Sequence, residues 1–318
     1  MKKILSAALL ALFFAGNVSA TTFTNMFIFG DSLSDTGNIA ALSSFPVSPP
    51  YDSERFSNGL VWVDYLAANL GLAAVPSTTA GGNNYAFGGA QTGTGAFPPS
   101  LISQANLYLN DVSGAADADA LYVVWGGGND VRDNIAGSAS NIETIVSTLA
   151  AAGATNFLIP NLPDIGMTPE ALAGMTPGCP TNDPLECSLF MSGVTNDHNT
   201  ALETAMTGLA ASDPSLNIVF FDVFSLFNMM LSDPAAFGFS VTDTACYSGE
   251  PTDDGLGSVC ANPGDHVFWD GIHPTTDAHA LLGDLAFDEL TQVVPIPGAV
   301  WLFASALLGL GGMRRRNK

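Results

Sequence analysis

Met26-Phe27-Ile28-Phe29-Gly30-Asp31-Ser32-Leu33-Ser34-Asp35-Thr36-Gly37-Asn38 opens as an apolar strand and breaks into a polar, glycine-bounded turn. Open α/β sheets hold ligands outside the carboxyl ends of their strands, and Ser32 stands at such an end. It is a candidate nucleophile. A Gly-Asp-Ser turn also arises for backbone reasons alone, since Gly supplies unusual φ values and Asp or Ser caps the next element. A catalytic reading therefore requires a base, an orienting carboxylate and donors for an oxyanion elsewhere in the chain.

Strands and helices alternate on either side of this turn. An amphipathic helix is expected near Val61 to Leu70, with Trp62, Tyr65, Leu66 and Leu70 on one side. Asn83-Asn84-Tyr85-Ala86-Phe87-Gly88-Gly89-Ala90 reads as a short strand entering a Gly turn. Ala120 to Gly128, ALYVVWGGG, is an apolar run of the kind buried on both faces of a parallel sheet, and it ends at Asn129-Asp130. Helical spacing at Ile142, Ile145, Val146 and Leu149 precedes a strand at Asn156 to Ile159. A helix around Leu189 to Ala210, a strand at Asn217 to Phe221 and a last helix from Asp277 to about Val293 complete the series. This alternation predicts a mainly parallel sheet covered by helices on both faces.

Of the four histidines, His198 reads as a solvated helix residue beside Asn196, Asp197 and Asn199, and His279 as structural within the last helix. His266 sits in a cysteine-bordered loop before Val267-Phe268-Trp269 and stays open. His273 belongs to Asp270-Gly271-Ile272-His273-Pro274, where the proline biases it away from helical backbone. Asp270 is placed to accept the Nδ1 proton, leaving Nε2 for a serine hydroxyl. The amides of Ser32 and Gly89 and the side chain of Asn129 all lie at strand-to-turn junctions, where oxyanion donors are needed.

The four segments GDSLSDTGN, NYAFGGA, GGND and DGIHP resemble the blocks of the GDSL, or SGNH, hydrolase family, and they span Gly30 to Pro274. Phe268-Trp269-Asp270 and Asn161-Leu162-Pro163-Asp164 are similar to its larger lipase and esterase branch. The resemblance implies a flavodoxin-like three-layer αβα sandwich around a mainly parallel five-stranded sheet. It implies no metal or cofactor, and ester hydrolysis through an acyl-enzyme. Ser32 would be the nucleophile, His273 the base and Asp270 its orienter, with Ser32, Gly89 and Asn129 forming the oxyanion hole. Alternatives are acyl transfer to another alcohol through the same site, or a non-catalytic surface or matrix protein.

The two ends read as address signals. Lys2 and Lys3, an apolar stretch and Val18-Ser19-Ala20 have the order of a secretory signal peptide over residues 1–20. Residues 294–318 carry Val294-Pro295-Ile296-Pro297, an apolar segment and Arg314, Arg315, Arg316 and Lys318, similar to a PEP-CTERM sorting signal in its VPxxP-like form. That resemblance implies export from a Gram-negative-type bacterium, an exosortase-type protease as partner, and membrane association through the segment before processing. Residues 21–293 would form the hydrolase domain. Of eight Lys and Arg, six lie in these ends, leaving Arg55 and Arg132 against 30 acidic residues, a formal charge of 2 minus 30, or −28. Such a surface repels nucleic acid and anionic lipid and favours solubility. Four cysteines in an exported chain suggest disulfides, and local pairing, 179 with 187 and 246 with 260, is preferred among three connectivities.

Overall fold

A computed structural model describes residues 23–252 and 256–291 of the protein. The expected end signals at 1–20 and 294–318 lie outside the described residues. Among those residues no helix is long and apolar enough to cross a membrane.

Four parallel strands, β1 (Met26–Gly30), β2 (Leu121–Trp125), β3 (Asn156–Pro160) and β4 (Asn217–Phe221), lie side by side in that order. The helices are α1 (Asn38–Ser43), α2 (Trp62–Asn69), α3 (Leu101–Asp111), α4 (Gly128–Arg132), α5 (Ser138–Ala151), α6 (Pro169–Leu172), α7 (Pro184–Ser212), α8 (Val223–Ser232) and α9 (Thr276–Thr291). Period-two alternation divides the core. Phe29, Tyr122, Val124, Phe157 and Ile159 face α3, α5 and α7, while Met26, Ile28, Leu121, Val123 and Leu158 face α2, α8 and α9. Apolar faces on both sides of the sheet make the three layers obligatory, as expected.

The expected fifth strand is a correction: four strands occur among the described residues, and Asn83–Phe87 contributes a single bridge to β1, Ile28 with Asn84. Its backbone follows β1 through Ile28 N to Asn83 O (3.0 Å), Tyr85 N to Ile28 O (2.7 Å) and Phe87 N to Gly30 O (3.2 Å). On the outer side, the Asn38 amide donates to the carbonyls of Asn84 and Ala86 at 2.7 and 2.9 Å. The Asn38 side chain, together with the backbone of Val75 and Ser77 (Asn84 N to Val75 O at 2.8 Å, Ser77 N to Asn84 O at 2.7 Å), thus satisfies groups a further strand would need, which blunts this sheet edge. Counting the segment as the edge gives the flavodoxin-like order 2-1-3-4-5, whose switch point lies between the ends of β1 and β2.

Both preferred disulfides are present, Cys179–Cys187 and Cys246–Cys260, with Cα separations of 5.1 and 4.8 Å. His198 corrects a further expectation: it is buried rather than solvated, because α7 turns that face toward the ends of β2 and β3.

Candidate active site

Gly30 closes β1 where a Cβ would meet the Trp125 carbonyl at 2.7 Å, so only glycine permits β1 and β2 to approach here. Both aspartates of the adjoining turn organise backbone. Asp31 accepts Leu33 N at 3.1 Å. Asp35 accepts Gly37, Asn38 and Ile39 N at 2.8, 2.6 and 3.1 Å, and Gly88 N at 2.8 Å, fixing the distant Gly88-Gly89 turn to this one. The capping role thus falls to Asp31 and Asp35. Ser32 is left for another task, and its Oγ lies 2.9 Å from His273 Nε2.

His273 is held by a loop that closes on itself. Trp269 N donates to His273 O at 2.7 Å, and Asp270 Oδ1 accepts Ile272 N and His273 N at 2.9 and 2.7 Å. Asp270 Oδ2 accepts His273 Nδ1 at 2.6 Å and the Tyr51 hydroxyl at 2.5 Å. With Nδ1 donating, Nε2 is free to accept the serine proton. Burial alone would push the Asp270 carboxyl up, but the His273 imidazole and the hydrogen bonds from His273, Tyr51 and Ile272 together hold it below the usual carboxylate range. Burial, with the Asp270 charge, raises the Tyr51 phenol well above its ordinary value, so it remains a donor.

Gly89 is exposed at φ +76, a backbone state that favours glycine. Asn129, on the first turn of α4, donates one Nδ2 hydrogen to Ala90 O at 3.0 Å. Its carboxamide is thereby tied to the Gly89 turn. Arg132 Nε reaches both Glu170 oxygens at 3.1 Å, and Glu170 N donates to Gly271 O at 3.0 Å, linking α4 to the His273 loop.

A cavity of about 70 Å³ opens from Ser32, Asn129 and His273 between Leu162, Ile165, Val223, Phe227 and Phe268. The apolar loop residues 45–51 and 97–99 do not line it. Tyr51 packs edge-on to Trp269 and Tyr247, and Phe45 to Phe56. Phe97 and Pro98 border a separate open groove beside Gly89. Asp31 also faces the cavity, and burial raises its carboxyl to about 6. His279 is buried, accepts Trp62 N on Nδ1 at 3.2 Å, and is lowered to about 3 by burial. His266 is half-buried, with Nδ1 3.2 Å from Thr244 O. It converges with Cys246 and Cys260, whose sulfurs are bonded to each other and so not free to ligate a metal.

Ser32, Asp270 and His273, expected together from the sequence, lie in hydrogen-bonding contact. Tyr51 was not foreseen as a partner of Asp270, because local sequence carries no signal for a contact 219 residues apart.

Residues 26–286 match the family model described as GDSL-like Lipase/Acylhydrolase. The chain is 25% identical to a GDSL esterase/lipase of Arabidopsis thaliana, covering 89% of this chain and 90% of the relative. It is 27% identical to a phosphatidylcholine-sterol acyltransferase of Aeromonas hydrophila, covering 84% and 90%. Among solved structures, a carbohydrate acetylesterase from Sinorhizobium meliloti aligns with a TM-score of 0.44 at 14% identity, over 84% of this chain and 97% of that one.

Proposed function

This chain belongs to the GDSL-like lipase/acylhydrolase family, and we propose that it is an exported serine esterase that hydrolyses carboxylic esters through an acyl-enzyme on Ser32. The observation that carries this reading is the unbroken chain from Ser32 Oγ through the His273 ring to Asp270, at 2.9 and 2.6 Å. In this mechanism Ser32 Oγ attacks the ester carbonyl carbon as its proton passes to His273 Nε2. The Ser32 amide, the Gly89 N–H and the second Nδ2 hydrogen of Asn129 stabilise the oxyanion. The alkoxy bond then breaks, and the departing alcohol takes the proton from Nε2. Water, deprotonated by the same nitrogen, attacks the acyl-enzyme and releases the carboxylic acid. Asp270 fixes the tautomer and compensates the imidazolium charge. The apolar cavity at Leu162, Val223 and Phe227 suits the acyl chain.

The test is Ser32→Ala assayed on short p-nitrophenyl esters. A loss of more than about a thousandfold is expected, and parent activity in the variant would refute the reading. The similarity to a sterol acyltransferase supports a second outcome at the same serine, transfer of the acyl group to an alcohol other than water. Product analysis with added acceptor alcohol separates the two. Export rests on the signal order of residues 1–20, the sorting-type segment 294–318 and the two disulfides. Mass spectrometry of the secreted chain reads both termini directly.

A further inference from the structure

Beneath the turn that presents Asn129 lies a histidine that this ester chemistry does not use. His198, from the middle of α7, is 6% exposed, with Nδ1 2.7 Å from Ser138 Oγ at the start of α5. Its Nε2 is buried without a hydrogen-bond partner. The ring presses directly on Gly127, where a Cβ would stand 2.7 Å from Cε1 and 3.1 Å from Nε2. Gly127 has φ +103 and precedes α4, and its carbonyl accepts Val131 N at 2.9 Å. No side chain therefore separates the imidazole from the backbone that carries Asn129 two residues later. The next residue of α7, Asn199, holds Leu162 N and O at 2.9 and 2.8 Å, so the same helical turn also grips a residue of the cavity wall.

A buried, unpaired ring nitrogen costs stability that an apolar side chain of similar shape would avoid. The residue here is nevertheless polar, fixed in rotation by Ser138 and placed under a left-handed glycine. We propose that His198 is a positioning residue of the oxyanion hole, the floor that sets the height of the Gly126-Gly127-Gly128 turn and the aim of the Asn129 amide. This rests on the assignment of Asn129 as an oxyanion donor. With Ala90 O holding the amide on one side and the imidazole supporting its backbone on the other, the donor is constrained from two directions. Displacement of a group by about 1 Å lowers rate by up to about a hundredfold, so loss of the floor acts on turnover rather than on substrate affinity.

The experiment is a double-mutant cycle between His198→Ala and Asn129→Ala on p-nitrophenyl butyrate, with thermal unfolding recorded for each variant. His198→Ala is expected to lower kcat about tenfold with KM within about twofold, and to cost less than about twofold in the Asn129→Ala background. Ser138→Ala, which frees the ring without removing it, should cost about threefold and likewise lose its effect without Asn129; it serves if His198→Ala does not fold. An equal cost in both backgrounds, or a drop in thermal stability with kcat unchanged, overturns the proposal. Full turnover in Asn129→Ala alone removes the oxyanion assignment instead, and the positioning role with it.

Discussion

His273 and His198 are both almost wholly buried, at 4% and 6% exposure, yet their surroundings fit them for opposite tasks. His273 has the Asp270 carboxylate of its own loop on Nδ1 and the hydroxyl of Ser32, from the turn after β1, on Nε2. Among the described residues His198, on α7, has only the Ser138 hydroxyl of α5 as a hydrogen-bond partner for its ring, and burial alone lowers that ring to about 4. Burial by itself therefore removes basicity. A buried histidine can hold a proton only when a negative partner offsets the lost hydration. In this protein Asp270 is that partner, and its own charge is kept by donors from both the loop and Tyr51.

Asp270→Asn puts this contrast to its most severe test. The amide retains an oxygen for Ile272 and His273 N but presents a donor to the imidazole, favouring the wrong tautomer. A fall in kcat of about a thousand- to ten-thousandfold with a native-like unfolding midpoint is expected. Unchanged turnover would erase the difference between the two histidines. Tyr51→Phe probes the next layer. Removing one of four donors to Asp270 should reduce kcat about tenfold, since hydrogen bonds to charged groups are worth roughly 1.5–3 kcal/mol. A loss as large as that of Asp270→Asn would mean that Tyr51 does more than support the carboxylate.

The smallest effect belongs to the other histidine. In the unfolded chain His198 titrates near 6.5, whereas the folded value is about 4. Its contribution to stability is therefore complete above 6.5 and declines as pH falls from there toward 4. Ser138→Asp would supply the missing carboxylate. Imidazole NMR should then find the His198 titration moved upward, above about 5, and a titration still near 4 would show that a carboxylate at this position does not compensate burial.

Legibility in the sequence differs between the same two regions. Around His273 all hydrogen-bond donors to the Asp270 carboxylate but Tyr51 are local: Asp270, Ile272 and His273 form a turn within four residues, and Pro274 fixes its exit. Around His198 the local reading failed, because Asn196, Asp197 and Asn199 suggest a wet helix face. The longer phase was nevertheless present, since Met191, Thr195, His198, Leu202 and Met206 recur at helical spacing and form one buried stripe. Polar residues within that stripe hid it. The expected fifth strand differs for a related reason, as Asn83 to Phe87 has strand composition while the Asn38 side chain and the backbone of Val75 and Ser77 take up its outer groups.

Residue type and short spacing alone specify the alternation that gives a parallel sheet between helical layers, the serine at the end of β1, the aspartate-histidine turn and the local disulfide pairs. The backbone reads such features directly, within a few residues. Tertiary packing was needed to establish that Tyr51 donates to Asp270, that Leu162, Val223 and Phe227 wall the cavity, and that His198 lies under Gly127. Each of those contacts joins segments tens to hundreds of residues apart, Tyr51 and Asp270 by 219, or depends on which face a helix turns inward. Close packing around the sheet, rather than any local preference, fixes them.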